Sequence, residues 1–373
     1  MTDWKAVRAQ FPALANWTFL NSATFGQMPR SGVEAVQKHF ARRDELACSD
    51  FMKWFDDADG VRASIARLIH AAPTDIAFVP NAATGLSLLL GGIDWKPGDR
   101  IVTLENEFPH HYYYPSVLAN RGVEFVETRW DGFYEALTPR TRLVAFGMLS
   151  YSTGFRAPLA ELAPRLRERG ILLCVDGTQG LGALEFDASK IRPDMFICHG
   201  YQWLLAPNGA GFIYVDADLR RRLKPNVIGW RSHKGWRGTD SLFNGMPEFQ
   251  TEAEQYEGGM LSFALLYAMQ ASVELMLEIV PAAIEKRVLQ LAGATRDILR
   301  RAGGRLIFDE RPHYDSPIVT ARFEGRDSSE LANDLRSRRV LVAARCGNLR
   351  VSPHFYNDEA DLVCFESALK ELL

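Results

Sequence analysis

Short apolar runs rich in β-branched residues alternate with longer amphipathic stretches through the first two thirds of the chain. This alternation indicates βαβ units, which build a mostly parallel sheet with helices on both faces. We predict seven strands, at residues 76–79, 101–104, 123–127, 143–148, 171–175, 195–198 and 211–215. In such sheets ligands bind beyond the carboxyl ends of the strands, so functional side chains are expected there.

The last third of the chain has a different pattern. Two long helical stretches at 264–279 and 282–301 precede a strand-like run at 318–323, a helix at 331–338, short strands near Leu341 and Leu349, and a final helix. This order predicts a smaller α+β unit. We therefore expect a large domain of residues 15–255 and a small domain made of residues 1–14 and 256–373, with the N-terminal helix packed against the C-terminal unit.

Composition narrows the classes of partner. The net charge of −3 gives no electrostatic reason to expect nucleic acid or an anionic membrane as a partner. No apolar run is long enough to cross a bilayer, and the first residues lack the pattern of a secretory signal. The five cysteines form neither a CxxC pair nor a metal-binding spacing, so we expect a cytoplasmic protein and no metal site.

One strand-end motif suggests a cofactor. Asp176 directly follows the predicted strand at 171–175, and Gln179 comes three residues later. A carboxylate in that place could keep a pyridine nitrogen protonated, because a nearby anion favours the charged form. A protonated pyridinium is the electron sink of pyridoxal phosphate chemistry, and Gln179 could reach the ring hydroxyl. The pair alone is a weak signal, since an aspartate at a strand end is often only a helix cap.

The segment 194–212 makes the signal specific. It combines a strand, a turn, the aromatic patch Tyr201-Gln202-Trp203 and a second strand introduced by glycines. This segment, with Asp176 and Gln179 before it, resembles the cofactor-anchoring region of class V aminotransferases, which include cysteine desulfurases, kynureninases and isopenicillin-epimerase-like proteins. The resemblance implies an aspartate-aminotransferase-like large domain of fold type I. It also implies a homodimer and a pyridoxal or pyridoxamine phosphate cofactor bound by Asp176 and Gln179.

Further matches imply roles for other residues. The stretch Asn81-Ala82-Ala83-Thr84 opens a helix where the family seats the cofactor phosphate, so Ala83 and Thr84 are candidates, and a helix N-terminus suits an anion. Phe108 holds the position of the residue that stacks on the pyridine ring.

The two ends of the chain resemble the family's substrate-binding segments. Arg350, in the stretch 349–357, matches the arginine that grips the substrate carboxylate with two hydrogen bonds. The stretch 19–23 resembles the family's opening, which makes Asn21 a candidate substrate ligand.

The pattern breaks at Gln202, which stands where the family has the lysine that forms a Schiff base with the cofactor. A carboxamide can neither form an imine nor shuttle a proton as the freed amine does. Of the other lysines, Lys234 is the best candidate to replace this Schiff-base lysine, but we predict that it does not. Other departures lie at the phosphate, where His199 replaces a common serine and Ala83 a common threonine. Met260 stands where a threonine of the neighbouring subunit often reaches over.

Three functional hypotheses follow. The first is an aminotransferase-like enzyme that acts on an amino acid or amine and binds pyridoxal or pyridoxamine phosphate without a covalent bond. His199 would be its base, with His110, His111 and Tyr201 as reserves, and conventional transamination would be slow. The second is a non-catalytic binding or regulatory descendant of the fold, and the third is a lysine-to-glutamine variant of an ordinary enzyme.

The two C-terminal arginines bear on which branch of the family the chain resembles. Only four residues, among them Cys346, separate Arg345 from Arg350. Such a segment is short for the cysteine-bearing loop of desulfurases. The isopenicillin-epimerase-like branch therefore fits better.

Overall fold

The computed structural model describes residues 2–238, 245–307 and 311–373; Met1 of the predicted small domain therefore lies outside the described residues. The α-helices are α1 (Trp4–Arg8), α2 (Arg30–Leu46), α3 (Phe51–Ile69), α4 (Ala82–Gly92), α5 (His110–Val117), α6 (Phe133–Ala136), α7 (Leu159–Glu168), α8 (Ala188–Ile191), α9 (Ala217–Arg220), α10 (Phe263–Ile279), α11 (Pro281–Arg301), α12 (Ser328–Ser337) and α13 (Glu359–Leu372). The strands are β1 (Thr18–Phe19), β2 (Ile76–Val79), β3 (Arg100–Leu104), β4 (Glu124–Thr128), β5 (Thr141–Gly147), β6 (Leu172–Asp176), β7 (Met195–His199), β8 (Gly211–Val215), β9 (Arg305–Leu306), β10 (Val319–Arg322), β11 (Val340–Leu341), β12 (Ala343–Arg345) and β13 (Asn348–Val351).

The large sheet has seven strands in the order β2-β8-β7-β6-β5-β3-β4. Strand β8 runs antiparallel to both of its neighbours, and the remaining pairs are parallel. The predicted fold class, a mostly parallel seven-stranded sheet within an α/β fold, is therefore confirmed. Strands β6, β7 and β8 are almost wholly buried because helices cover both faces, which explains why their sequences read as continuous apolar runs.

Helix packing sets the geometry around the carboxyl ends of the strands. Leu159, Leu162 and Leu166 are buried on one face of α7, as their spacing predicts. The first turn of α4 lies close against the sheet at Gly85, where a Cβ atom would come within 2.8 Å of the Ile213 side chain and 2.9 Å of Ile197. Glycine is therefore needed at position 85 for the start of α4 to approach β7 and β8 this closely.

The C-terminal residues form a four-stranded antiparallel sheet in the order β12-β13-β10-β9, with α11, α12 and α13 packed around it. The N-terminal segment joins this unit. Strand β1 pairs in parallel with β11, and Arg8 of α1 forms an ion pair with Asp361 of α13 at 2.6 Å. Residues near the start of the chain are thereby held beside the β13 segment that carries Arg350.

No single helix in the described ranges has both the length and the apolar character needed to span a bilayer. Helices α10 and α11 meet that test only when taken together, and they are bent by 86° where they join.

Candidate active site at the carboxyl ends of the strands

A pocket lies where β5, β6 and β7 end, beside the start of α4. Six of the nine predicted site residues line it: Ala83, Phe108, Asp176, Gln179, His199 and Gln202. The other three, Asn21, Thr84 and Arg350, are not among its lining residues. Among the residues that the structure describes, no lysine lines the pocket.

Asp176, the last residue of β6, is buried in the wall of the pocket. Its Oδ1 accepts a hydrogen bond from the Thr178 amide at 2.8 Å, and its Oδ2 lies 2.9 Å from His110 Nε2 and 3.5 Å from His111 Nε2. Burial alone would raise the pKa of Asp176, but the two histidines outweigh it and hold that pKa well below its usual range. The pocket therefore contains a carboxylate that stays ionised.

A second buried carboxyl group lies nearby at Glu107. Its Oε1 accepts the amide hydrogen of Gly147 at 3.1 Å, and burial raises its pKa. Burial would lower the pKa of His111, but Asp176 and Glu107 together raise it. Sequence reasoning did not select Glu107, although its position just after β3 is the same kind of signal that singled out Asp176.

Gln202 is 5% exposed, and both hydrogens of its side-chain amide face protein oxygens. Its Nε2 donates to the Ala23 carbonyl at 2.9 Å and lies 3.3 Å from the Tyr201 hydroxyl. Its buried Oε1 has no hydrogen-bond partner among the described residues. The Gly26 amide donates to the Tyr201 carbonyl at 2.9 Å, so the segment 23–26 crosses directly over Gln202.

Gln179 belongs to the same hydrogen-bond network. Its Nε2 donates to the Ala23 carbonyl at 2.9 Å, and its Oε1 accepts the indole hydrogen of Trp203 at 2.9 Å. The oxygen of Gln179 is therefore already engaged by Trp203. One Nε2 hydrogen remains for the ring hydroxyl that the resemblance assigns to this residue.

His199, the last residue of β7, is a neutral side chain at physiological pH. Burial lowers its pKa to about 4. Its Nε2 accepts the Gly209 amide hydrogen at 3.3 Å, which leaves the ring hydrogen on Nδ1. His199 is therefore a weak base whose Nε2 lone pair is already used.

The start of α4 is capped by its own sequence. Asn81 Oδ1 accepts the Thr84 amide hydrogen at 2.8 Å and the Thr84 hydroxyl hydrogen at 3.1 Å, which is an N-cap hydrogen bond. Thr84 is thus turned toward Asn81 rather than toward the pocket. Ala82 and Ala83 line the pocket at this helix N-terminus.

Arg350 and Arg345 converge on one hydroxyl group. Arg350 is buried, and it donates to the Tyr151 carbonyl at 2.7 Å and to Thr24 Oγ1 at 2.5 Å. Arg345 Nη2 lies 3.4 Å from the same Thr24 oxygen, which itself donates to Asn21 Oδ1 at 2.8 Å. Neither arginine has a carboxylate partner among the described residues. Burial and the neighbouring Arg345 lower the pKa of Arg350 to about 9.

Of the remaining candidates, Phe108 lines the pocket, and Lys234, Met260 and Cys346 do not. Phe108 is half exposed at the pocket, edge-on to Tyr151 at 5.6 Å between ring centres. Lys234 is paired with Glu248 and lines a separate cavity beside Arg62. Met260 is exposed, and Cys346 is exposed close to Tyr151.

The aminotransferase class-V family model matches residues 18–363. Isopenicillin N epimerase of Streptomyces clavuligerus is 27% identical over 100% of this chain and 99% of its own length. A probable cysteine desulfurase of Methanothermobacter thermautotrophicus is 23% identical over 98% of this chain and 97% of its own length.

Solved structures with the same fold include the apo cysteine desulfurase of Thermococcus onnurineus, with a TM-score of 0.90, 19% identity, and coverage of 100% of this chain and 98% of that one. A lysine-to-alanine mutant of C-DES, with glycine covalently linked to its PLP cofactor, has a TM-score of 0.89 and 21% identity over 98% of this chain and 99% of that one. Since the family model covers nearly the whole chain, the protein belongs to the class-V aminotransferase family.

Proposed function

We propose that the chain is an enzyme that binds a pyridoxal 5'-phosphate-type cofactor without a covalent bond and acts on an amino acid. The observation that supports this proposal is the environment of Asp176. Its carboxylate is buried in the wall of a pocket at the strand ends and is held ionised by its surroundings. A buried carboxylate of this kind suits a pyridinium nitrogen, because each favours the charged form of the other.

The residues present fit the cofactor at two points. Asp176 would hold the ring nitrogen, in competition with His110, which now contacts Oδ2. The N-terminus of α4 at Ala82 and Ala83 would hold the phosphate, as helix N-termini do for anions. When bound, the cofactor supplies an electron sink for bonds at the carbon that bears the substrate amine.

The absence of a lysine from the described lining of the pocket supports non-covalent binding. The C-DES mutant in which a lysine is replaced by alanine holds PLP with glycine linked to it, so a lysine-substituted member of this fold can carry the cofactor. In this chain the base that the sequence predicts, His199, has a pKa of about 4, and proton transfer by it at neutral pH should therefore be slow.

Arg350 supports an amino acid rather than a simple amine as the substrate. It is a buried guanidinium with a second arginine beside it and no carboxylate partner among the described residues. An unpaired buried cation is costly, and a substrate carboxylate would supply the missing anion.

We also propose a cytoplasmic homodimer, which light scattering and cell fractionation would test.

A non-catalytic descendant is the second candidate, because the amide of Gln202 is bound into the protein's own hydrogen-bond network. To separate this candidate from the enzyme proposal, the protein is first titrated with pyridoxal 5'-phosphate and with pyridoxamine 5'-phosphate while its tryptophan fluorescence is recorded. We expect at least one of them to bind, and Asp176→Asn to weaken that binding about tenfold or more. Mixing the loaded protein with amino acids and 2-oxo acids then measures turnover.

Asp216→Asn is the matched control, since Asp216 follows the antiparallel strand β8 and lies at the opposite end of the sheet. It should leave cofactor binding unchanged. If neither cofactor form binds at roughly millimolar concentration, the weak end of specific affinity, the enzyme proposal is wrong. Binding without any turnover would favour the non-catalytic candidate.

A further inference from the structure

The side chain of Gln202 presents one unsatisfied atom at the place where the family has a lysine. Gln202 lines the pocket and is 5% exposed, and its Oε1 has no hydrogen-bond partner among the described residues. A buried carbonyl oxygen without a partner costs free energy, since it has lost its hydrogen bonds to water. A ligand that brings a hydrogen-bond donor to this oxygen would recover that cost.

The orientation of the amide is fixed by its neighbours. The Ala23 carbonyl can only accept hydrogen bonds, so the end of Gln202 that faces it at 2.9 Å must be the NH₂ group. The second donor to Ala23 is the NH₂ group of Gln179, whose own orientation is fixed because the Trp203 indole can only donate. The oxygen of Gln202 is therefore the end that points away from Ala23.

We propose that the pocket selects the amine form of the cofactor, pyridoxamine 5'-phosphate, over the aldehyde form, with Gln202 Oε1 as the acceptor for the cofactor amine. The inference rests on the proposed function and adds which form of the cofactor is bound. Under this proposal Gln202 contacts the cofactor and is not only a substitution at the lysine position.

The chemistry of the two forms differs at one group. A primary amine is protonated at neutral pH, as a lysine amine is, and carries three donors and no acceptor. One donor can satisfy Gln202 Oε1 in a charge-assisted hydrogen bond. An aldehyde oxygen only accepts hydrogen bonds, so against the same atom it places two acceptors face to face and leaves Oε1 unpaired.

Neighbouring charges are compatible with a cationic amine. Burial raises the pKa of Tyr201 above its ordinary value, so its hydroxyl is neutral at physiological pH and its oxygen can also accept. His199 is neutral under the same conditions, because burial lowers its pKa to about 4. Asp176 is ionised. The cations Arg345 and Arg350 are directed at Thr24.

The test compares dissociation constants rather than activity. Both cofactor forms are titrated into the wild-type protein, Gln202→Met and Gln202→Glu, and tryptophan fluorescence is followed. Methionine keeps the length of the side chain but removes the acceptor, whereas glutamate keeps an acceptor at the same reach. The ratio of the two constants is the readout, because a general disturbance of the segment at Ala23 would weaken both forms alike.

We expect the wild type to bind pyridoxamine phosphate at least about tenfold more tightly than pyridoxal phosphate, the effect of one charge-assisted hydrogen bond. In Gln202→Met the preference should fall to within about threefold, and Gln202→Glu should retain it. Equal or tighter binding of the aldehyde form by the wild type overturns the inference while the proposed function stands, and so does an undiminished preference in Gln202→Met. If neither form binds to the wild type, the proposed function itself is wrong.

Discussion

The side-chain amides of Gln179 and Gln202 donate to the same backbone oxygen, that of Ala23, at 2.9 Å each. One of these residues follows β6 and the other follows β7, so the N-terminal segment joins the ends of two neighbouring strands. A carbonyl oxygen has two lone pairs, and this arrangement uses both. Gln202, at the position where we predict that the family has its lysine, is therefore part of what holds the start of the chain against the pocket.

A lysine introduced at position 202 should create a covalent cofactor site. We expect Gln202→Lys to form a yellow adduct with pyridoxal 5'-phosphate that borohydride reduces irreversibly, because an amine at position 202 lines the same pocket as Asp176. Absorbance spectra and the mass of the reduced protein measure the adduct. Burial should lower the pKa of the new amine, which favours the nucleophilic form.

Gln202→Met is the control for that experiment, since it also loses the hydrogen bond to Ala23 but has no amine. It should give no reducible adduct. If Gln202→Lys folds, as judged by circular dichroism, and still gives none, residue 202 does not occupy the lysine position of the family.

Arg350 should determine the binding of substrate carboxylates. Arg350→Lys keeps the charge but loses the planar fork that now reaches Tyr151 and Thr24 together. We expect this variant to bind amino acids at least about tenfold more weakly when the cofactor is bound, with cofactor affinity unchanged. Spectral titration with amino acids and with the corresponding amines, which lack the carboxylate, gives both values.

The variant Arg345→Ala tests whether Arg350 binds the substrate carboxylate alone or together with Arg345. A loss of amino-acid affinity in both variants means that the two guanidinium groups bind the carboxylate together through their common position at Thr24. If amines and amino acids bind equally well to the wild type, Arg350 does not bind the substrate.

The sheet could be predicted because burial on both faces imposes an apolar pattern on most of its strands, although the edge strand β4 is partly exposed. Residues 76–79 and 211–215 were predicted with the bounds found for β2 and β8, and the other five strands differ by one or two residues at one or both ends. Helices α2 and α3 were not singled out. The long polar stretches of α2, in which only Gly32 and His39 are buried, carry a weak apolar pattern.

The hydrogen-bond partners within the pocket could not be predicted, because they join residues far apart in the sequence. Asp176 and Gln202 were located by motif, but Ala23 lies 179 residues before Gln202, and its carbonyl carries no sequence signal. The same holds for His110, whose contact with Asp176 spans 66 residues. Thr84 shows the opposite case, since a local cap with Asn81 takes the hydroxyl that the resemblance assigns to the phosphate. The roles of the predicted site residues stay predictions.

A buried network of ion pairs around Glu257 should make a large contribution to stability. The side chain of Glu257 is fully buried, pairs with Arg62 at 2.5 Å and Arg231 at 2.8 Å, and accepts the Phe78 amide hydrogen at 2.7 Å. Glu257→Gln would remove a carboxylate shared by the buried Arg62 and Arg231, while Glu254 would still contact both guanidinium groups. We expect the free energy of unfolding to fall by roughly 3 kcal/mol in urea denaturation, the low end for breaking a buried ion pair.

Glu248→Gln is the matched control, because Glu248 pairs with Lys234 on the surface. Exposed ion pairs contribute little, so this variant should unfold close to the wild-type midpoint. Equal effects of the two substitutions would mean that the buried network is not a principal source of stability.

His354 should make the protein sensitive to acid. Its Nε2 donates to the Trp203 carbonyl at 2.8 Å and its Nδ1 accepts the Phe355 amide hydrogen at 2.8 Å, so the neutral ring satisfies both contacts. Burial lowers the pKa of His354 to about 3, whereas an unfolded histidine has a pKa near 6.5. The unfolded chain therefore binds the proton more readily, and stability falls as the pH falls from about 6.5 toward 3.

Between pH 7 and pH 5, His354 alone should lower the free energy of unfolding by about 2 kcal/mol. Each pH unit below the unfolded pKa removes about 1.4 kcal/mol. Urea denaturation of the wild type at the two pH values measures the total loss, to which His39 and His199, whose pKa values are also lowered by burial, add in the same direction. His354→Gln should show a smaller loss between pH 7 and pH 5. His70→Asn, which changes an exposed histidine in a left-handed conformation that asparagine tolerates, should show the wild-type loss. An unchanged pH dependence in His354→Gln would mean that His354 is not held neutral by its buried contacts.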